Sequence, residues 1–193
     1  MPGIRSRSEL WLWSAVAIAV AALLAALYPL QFALDALRAR NLLRLTIAAI
    51  FVSCAATVVA FLARRRAPLV AWLVIGLFST LYAALALAME VPQERLHLVE
   101  YGALALLLRG AMAESVRVRN LAGRVSSVDV WALGAATAIG WLDEAVQGLL
   151  PNRTYDLRDV AFNALAAAMA LVAAAAARKA MGTAEGSRQK PER

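Results

Sequence analysis

Long apolar runs separated by short charged clusters set the pattern of this chain. A membrane-spanning helix needs about 20 mostly apolar residues, and the runs that approach this length are residues 10–30, 45–63, 67–89, 96–113, 128–149 and 159–177. Alanine and leucine dominate them and favour helix, whereas a transmembrane β-strand would show alternating apolar and polar positions. The pattern predicts an all-α integral membrane protein, a bundle of about six transmembrane helices.

Prolines and charged clusters place the boundaries between these runs. The first run is expected to end near Tyr28-Pro29, and the following segment, residues 31–44, is either an interfacial amphipathic helix or a loop with a helical turn. The resulting division is a cytoplasmic N-terminus (1–9), three N-terminal transmembrane helices (10–89), a helical core with three more (90–179) and a disordered cytoplasmic tail (180–193).

Composition supports lipid as the solvent of this chain. Of its 193 residues 62% are hydrophobic and 17% are charged, whereas a soluble domain has roughly 45–50% apolar and about 25% charged residues. The net charge of +7 does not indicate nucleic acid, because the basic residues are spread over loops and tails. Such residues orient spans and contact anionic lipid headgroups.

The distribution of lysine and arginine predicts the orientation. Most of the 20 basic residues lie on the side that holds both termini, and basic loops face the cytoplasm. We therefore expect cytoplasmic N- and C-termini. Three arginines in the first outer loop, Arg38, Arg40 and Arg44, depart from this trend.

The first group of candidate residues lies at the start of the fourth run. His97, Glu100 and Tyr101 are spaced three and four apart, which puts them on roughly one helical face. His97 is the only histidine, and it could be a general base, a proton carrier or a metal ligand. The alternative is an inert, hydrogen-bonded histidine at the level of the headgroups.

Two further groups flank the loop after the fifth run. Glu144 and Gln147 share a face near the end of that run, although acids this close to a helix end could simply reach towards water. Arg153, which could clamp a phosphate or carboxylate, precedes the sixth run. Asp156, Asp159 and Asn163 follow Arg153. Asp159 could alternatively act as the N-cap of the sixth helix.

The order of the spans brings these groups to one membrane face, because the fourth and sixth runs begin where the fifth ends. We expect a shared polar site there. His97, Glu100, Glu144 and Asp159 suit acid/base catalysis or a divalent cation. The remaining members would contact a substrate: Tyr101, Gln147, Arg153, Asp156 and Asn163. A triad hydrolase is disfavoured, because no serine, threonine or cysteine is plainly paired with His97.

These motifs resemble those of the VanZ-like family of bacterial membrane proteins. The matching stretches are ERLHLVEYG at residues 94–102 and DEAVQ at 143–147, followed by Pro151, Arg153, Asp156, Asp159 and Asn163. The resemblance covers the second half of the chain. It implies a place in the bacterial cytoplasmic membrane and a role in the cell envelope, since the family is named for teicoplanin resistance.

Three functions are consistent with this site. The first is binding or modifying a lipid headgroup, a lipid-linked envelope precursor or a glycopeptide-type amphiphile. The second is a small ion-coupled transporter, which would need polar residues through the whole depth of the bilayer. The third is a non-catalytic membrane scaffold in which the polar cluster only joins helices. The sequence leaves open whether the protein is an enzyme.

Overall fold

The computed structural model describes residues 6–89, 91–121, 127–150 and 155–188, and in these ranges it contains helices and no strand. The elements in chain order are α1 (Arg7–Ala39), α2 (Leu43–Arg64), α3 (Leu69–Ala88), a short 3-10 turn (Pro92–Glu94), α4 (Arg95–Val118), α5 (Val128–Gln147) and α6 (Leu157–Arg188). The all-helical prediction is therefore confirmed for the described residues.

Helix α1 is longer than the sequence predicted. Ser6 caps it by accepting a 3.0 Å hydrogen bond from the Glu9 amide. The helix continues through Pro29 to Ala39, so the expected stop at Pro29 does not occur and most of residues 31–44 is helical. At 33 residues and a rise of about 1.5 Å per residue, α1 exceeds a hydrocarbon core of about 30 Å.

Five helices are long and apolar enough to cross a membrane: α1, α2, α3, α4 and α6. Their outer surfaces expose large apolar side chains, such as Leu69 and Leu87 of α3, which suits contact with lipid. Helix α5 also has 20 residues, but three acids lower its hydropathy. The number of helices that meet these criteria in the described residues is thus five, where the sequence predicted six.

Helix α4 lies at the centre of the bundle and packs against α1, α5 and α6. Leu98, Leu104 and Leu108 of α4 are buried. The facing helices contribute small residues that let the backbones approach closely, namely Ala132 and Ala136 of α5 and Ala166 and Ala167 of α6. Helix α6 continues to Arg188, into the segment that the sequence predicted to be disordered.

Candidate functional site

A buried hydrogen-bonded trio joins α4 to α5. The Tyr101 hydroxyl donates to Asp143 Oδ2 at 2.8 Å, and Gln147 Nε2 donates to the same oxygen at 3.2 Å. All three side chains are at most 3% exposed. Tyr101 and Gln147 were predicted site residues, and the acid that connects them is Asp143, which the sequence analysis did not select.

Glu144 connects the end of α5 to the start of α6. Its Oε1 accepts a 2.8 Å hydrogen bond from the Asp156 amide. Asp156 Oδ1 in turn accepts from the Arg158 amide at 2.8 Å, the contact of an N-cap residue. The capping role considered for Asp159 is thus taken by Asp156, three residues earlier, and Glu144 holds that cap in place.

Asn163 of α6 packs beside Gly140 of α5 and close to Tyr101 of α4. A Cβ built on Gly140 would lie 3.1 Å from both Asn163 Cβ and Tyr101 Cε1. Asn163 is 1% exposed, and neither of its amide atoms has a hydrogen-bond partner among the described residues. Glycine at position 140 therefore leaves the space beside α5 that these two side chains occupy.

His97 and Glu100 lie at the margin of this buried group. His97 Nδ1 is 3.3 Å from Glu100 Oε2, and the two side chains are 15% and 39% exposed. That distance allows an ion pair when the imidazole is protonated, although Nδ1 makes no hydrogen bond of good geometry. The imidazole ring also lies 6.1 Å from the ring of Tyr101.

A cleft of about 60 Å³ opens between α1, α4 and α5, and we call it the acidic cleft. Its polar lining consists of Glu94, His97, Glu100, Asp143 and Gln147. Its apolar lining is mostly leucine from α1, together with one alanine and one residue of α4: Leu23, Ala26, Leu27, Leu30, Leu34 and Leu96. One wall is thus chemically like lipid and the other is carboxylate-rich.

Not every predicted site residue reaches the acidic cleft. Glu144 and Asn163 are buried but do not line it. Asp159 is close enough to Glu94 to affect its pKa. Arg153 lies outside the described residues. The cleft also contains two acids that the sequence analysis did not select, Glu94 and Asp143.

Glu94 is the one acid of the cleft that lies outside the long helices. Burial raises the pKa of its carboxyl group, and the nearby Asp159 carboxylate raises it further. Protonated His97 and the Arg158 guanidinium act in the opposite direction. The ionised form of Glu94 is therefore held at an energetic cost, which a bound cation would reduce.

The described residues do not form a set of ligands for the divalent cation that was considered from the sequence. Within the described residues, no group of three or more histidine, cysteine, aspartate or glutamate side chains is placed to hold a metal ion. Two of the expected donors, His97 and Glu100, face the cleft, whereas Glu144 makes its contact with the start of α6.

A second polar cluster lies at the opposite end of α4. Glu9 of α1 is fully buried, and its Oε1 accepts from Arg119 Nη2 at 2.9 Å and from Ser115 Oγ at 2.7 Å. A separate group joins α4, α5 and α6, since Arg109 and Arg178 both contact Asp129, at 2.8 and 3.4 Å. The Glu9 cluster was not predicted, because its one signal in the sequence is an isolated acid, Glu9, just before an apolar run.

Comparisons of the chain with protein-family models, with characterised proteins and with solved structures find no match.

Proposed function

We propose that this protein binds the polar head of an amphiphile in the acidic cleft while the apolar chain of that amphiphile lies along α1. The observation that carries the proposal is the composition of the cleft walls. Leucines such as Leu23 and Leu27 form one wall, and Glu100 and Asp143 belong to the other. An amphiphile is the class of ligand that matches both walls at once.

The proposal includes the cellular setting that the sequence implies. The chain is a VanZ-like protein of a bacterial cytoplasmic membrane, with both termini in the cytoplasm and with α5 as a sixth span. The ligand is a lipid headgroup, a lipid-linked envelope precursor or a glycopeptide-type compound. The support is the ERLHLVEYG and DEAVQ stretches and the apolar surfaces of the long helices.

A matched pair of substitutions tests binding in the cleft. Ala26 lines the cleft, and its neighbour Ala25 is exposed on another face of α1. Wild-type protein, Ala26→Phe and Ala25→Phe are purified in mild detergent, and native mass spectrometry records the retained lipid. We expect Ala26→Phe to lose lipid that the wild type and Ala25→Phe retain. Equal retention by all three proteins would overturn the proposal.

Cells provide the corresponding test of an envelope role. Glycopeptide sensitivity is measured in bacteria that express the wild type, Glu100→Gln or Asp143→Asn, two acids of the cleft lining, at matched levels. We expect both variants to lose any change in sensitivity that the wild type produces. Wild-type behaviour from both variants would remove the link between these acids and the envelope.

A membrane scaffold is the second candidate, and the buried Tyr101–Asp143–Gln147 trio favours it, because those hydrogen bonds join helices. In that case the acids would affect stability but no ligand. A transporter has less support. In the part of the chain that the structure describes, the helices between the acidic cleft and the Glu9 cluster bury apolar residues such as Leu104, Ala105 and Leu108, which do not form a polar path.

A further inference from the structure

Acidic groups outnumber basic ones in the lining of the acidic cleft. Glu94, Glu100 and Asp143 contribute carboxylates, and His97 is the one basic group in the lining. Among the described residues, no lysine or arginine lines the cleft. Glu100 lies 3.3 Å from His97 and can pair with it when His97 is protonated. The other two carboxylates, Glu94 and Asp143, then have no counterpart of positive charge in the lining. A phosphate group entering here would meet like charge.

Arg95 and Arg158 are close to these acids in sequence or in space but do not line the cleft. Arg95 Nη2 donates a 3.0 Å hydrogen bond to the Met89 carbonyl oxygen. Arg158 is exposed on the first turn of α6. Two further carboxylates, Asp156 and Asp159, lie close enough to Glu94 to raise the pKa of its carboxyl group. The surroundings of the cleft therefore keep its acidic character.

Asp143 adds an observation that does not depend on the number of acids. This residue is 1% exposed and lines the cleft. Its Oδ2 accepts from Tyr101 and Gln147, whereas its Oδ1 is buried without a hydrogen-bond partner. A buried carboxylate oxygen without a donor is unfavourable, so a donor supplied by a ligand beside Asp143 would relieve this cost.

We propose that the head of the bound amphiphile carries an ammonium group, which donates to Asp143 and Glu100. This inference rests on the proposed function and narrows its ligand class. An ammonium group supplies several N–H donors and a positive charge, and charge-assisted hydrogen bonds are the stronger ones. The cleft is small, about 60 Å³, and an ammonium group is among the smallest charged heads. The leucines of α1 then adjoin the hydrocarbon part.

Lipids that differ in one charged group provide the test. Purified wild-type protein is titrated with dioleoyl phosphatidylethanolamine, with its N-acetylated form, which lacks the charge, and with dioleoyl phosphatidylglycerol. Native mass spectrometry measures the bound fraction. We expect phosphatidylethanolamine to bind about tenfold or more tightly than the other two, the range for a lost charge-assisted hydrogen bond. Equal binding of all three lipids would overturn the inference.

Variants locate the preference in the cleft. Glu100→Gln changes a side chain that is 39% exposed and should leave the fold intact, and Asp143→Asn removes the buried charge. Both should reduce the preference for phosphatidylethanolamine, whereas Asp35→Asn, at an exposed acid of α1 outside the cleft, should keep it. An unchanged preference in Glu100→Gln would place the selectivity elsewhere and overturn the inference.

The remaining outcomes separate this inference from the proposed function. If lipids bind without regard to the head group and Ala26→Phe still displaces them, the amphiphile site stands and the ammonium selectivity is wrong. If no lipid binds, both proposals fail. Soluble ethanolamine is a further arm. If it binds as tightly as phosphatidylethanolamine, the hydrocarbon wall contributes nothing and the ligand is a free amine.

Discussion

The Tyr101 hydroxyl donates a 2.8 Å hydrogen bond to Asp143 Oδ2 where α4 and α5 pack together, and both side chains are almost completely buried. The bond has a structural and a chemical consequence. It fixes the rotation of α5 about its axis relative to α4. It also leaves the second oxygen of Asp143 without a partner in a residue that lines the acidic cleft.

Tyr101→Phe removes this donor while retaining the ring. Asp143 Oδ2 would then keep only the 3.2 Å hydrogen bond from Gln147, so we expect the protein to lose about 1.5–3 kcal/mol of stability, the range for one hydrogen bond to a charged group. Thermal unfolding in detergent measures the loss. Tyr28→Phe, at an exposed tyrosine of α1, is the control and should change little. Equal unfolding temperatures for all three proteins would contradict the structural role.

Gly140→Ala and Gly134→Ala are a matched pair on α5. A Cβ at Gly140 would lie 3.1 Å from atoms of Asn163 and Tyr101, whereas a Cβ at Gly134 meets nothing within 4 Å. We expect Gly140→Ala to lose about 1–3 kcal/mol through overpacking. Gly134→Ala should be neutral or gain up to about 1 kcal/mol from helix propensity. Unfolding in denaturant measures both, and similar effects would mean that α5 is not packed as described.

The hydrophobic runs were sufficient to predict the helices but not their rotation. Glu144 was predicted as a site residue because it shares a helical face with Gln147, three residues later. Asp143 is four residues before Gln147, an equally good spacing on a helix. The structure uses Asp143–Gln147 towards Tyr101 and turns Glu144 towards Asp156. Helix α5 packs against both α4 and α6, so periodicity alone could not decide which acid faces which neighbour.

The length of α1 and the burial of Glu9 escaped prediction for different reasons. Pro29 removes one backbone donor, which in a membrane helix can be tolerated when neighbouring groups compensate, so a proline is a weak stop signal in an apolar run. Glu9 is explained by Arg119, which is 110 positions away in sequence. The spacing of neighbouring residues in a sequence does not indicate a contact between residues so far apart.

Arg119→Met tests the buried ion pair at the end of α1. Glu9 is fully buried and its Oε1 lies 2.9 Å from Arg119 Nη2. Removing the guanidinium leaves the buried Glu9 carboxylate without its positively charged partner, for which the cost is about 3–5 kcal/mol. We expect a large drop in unfolding temperature.

The double variant Glu9→Gln/Arg119→Met is the informative control, because it removes both charges. It should recover much of the stability that Arg119→Met loses, since no buried charge is then left without a partner. As a second control, Arg38→Met breaks an exposed pair with Asp35, where the expected loss is within about 1 kcal/mol. A loss in Arg119→Met no greater than that in Arg38→Met would contradict the burial of Glu9.

Glu94 should make stability depend on pH in a direction that follows from its surroundings. Burial and the nearby Asp159 raise the pKa of its carboxyl group above the ordinary value of 4.5. The folded state therefore holds this proton more tightly than the unfolded state does, so ionisation of Glu94 reduces stability as the pH rises from the ordinary pKa through the raised one. Below the ordinary pKa the carboxyl group is protonated in both states and has no such effect.

Glu94→Gln is consequently expected to raise the unfolding temperature at neutral pH and to leave it unchanged below about pH 4. The Glu94 side chain makes no capping hydrogen bond at the start of α4, so glutamine loses no contact of that kind. The measurement is the unfolding temperature of wild type and variant across this pH range, with Asp35→Asn as the control. His97, Asp156, Asp159 and Arg158 also act on Glu94, and all four are retained in the variant. If the difference in unfolding temperature between variant and wild type is the same at every pH, the pKa of Glu94 is not raised. Ionised Glu94 would then carry no energetic cost for a bound cation to reduce.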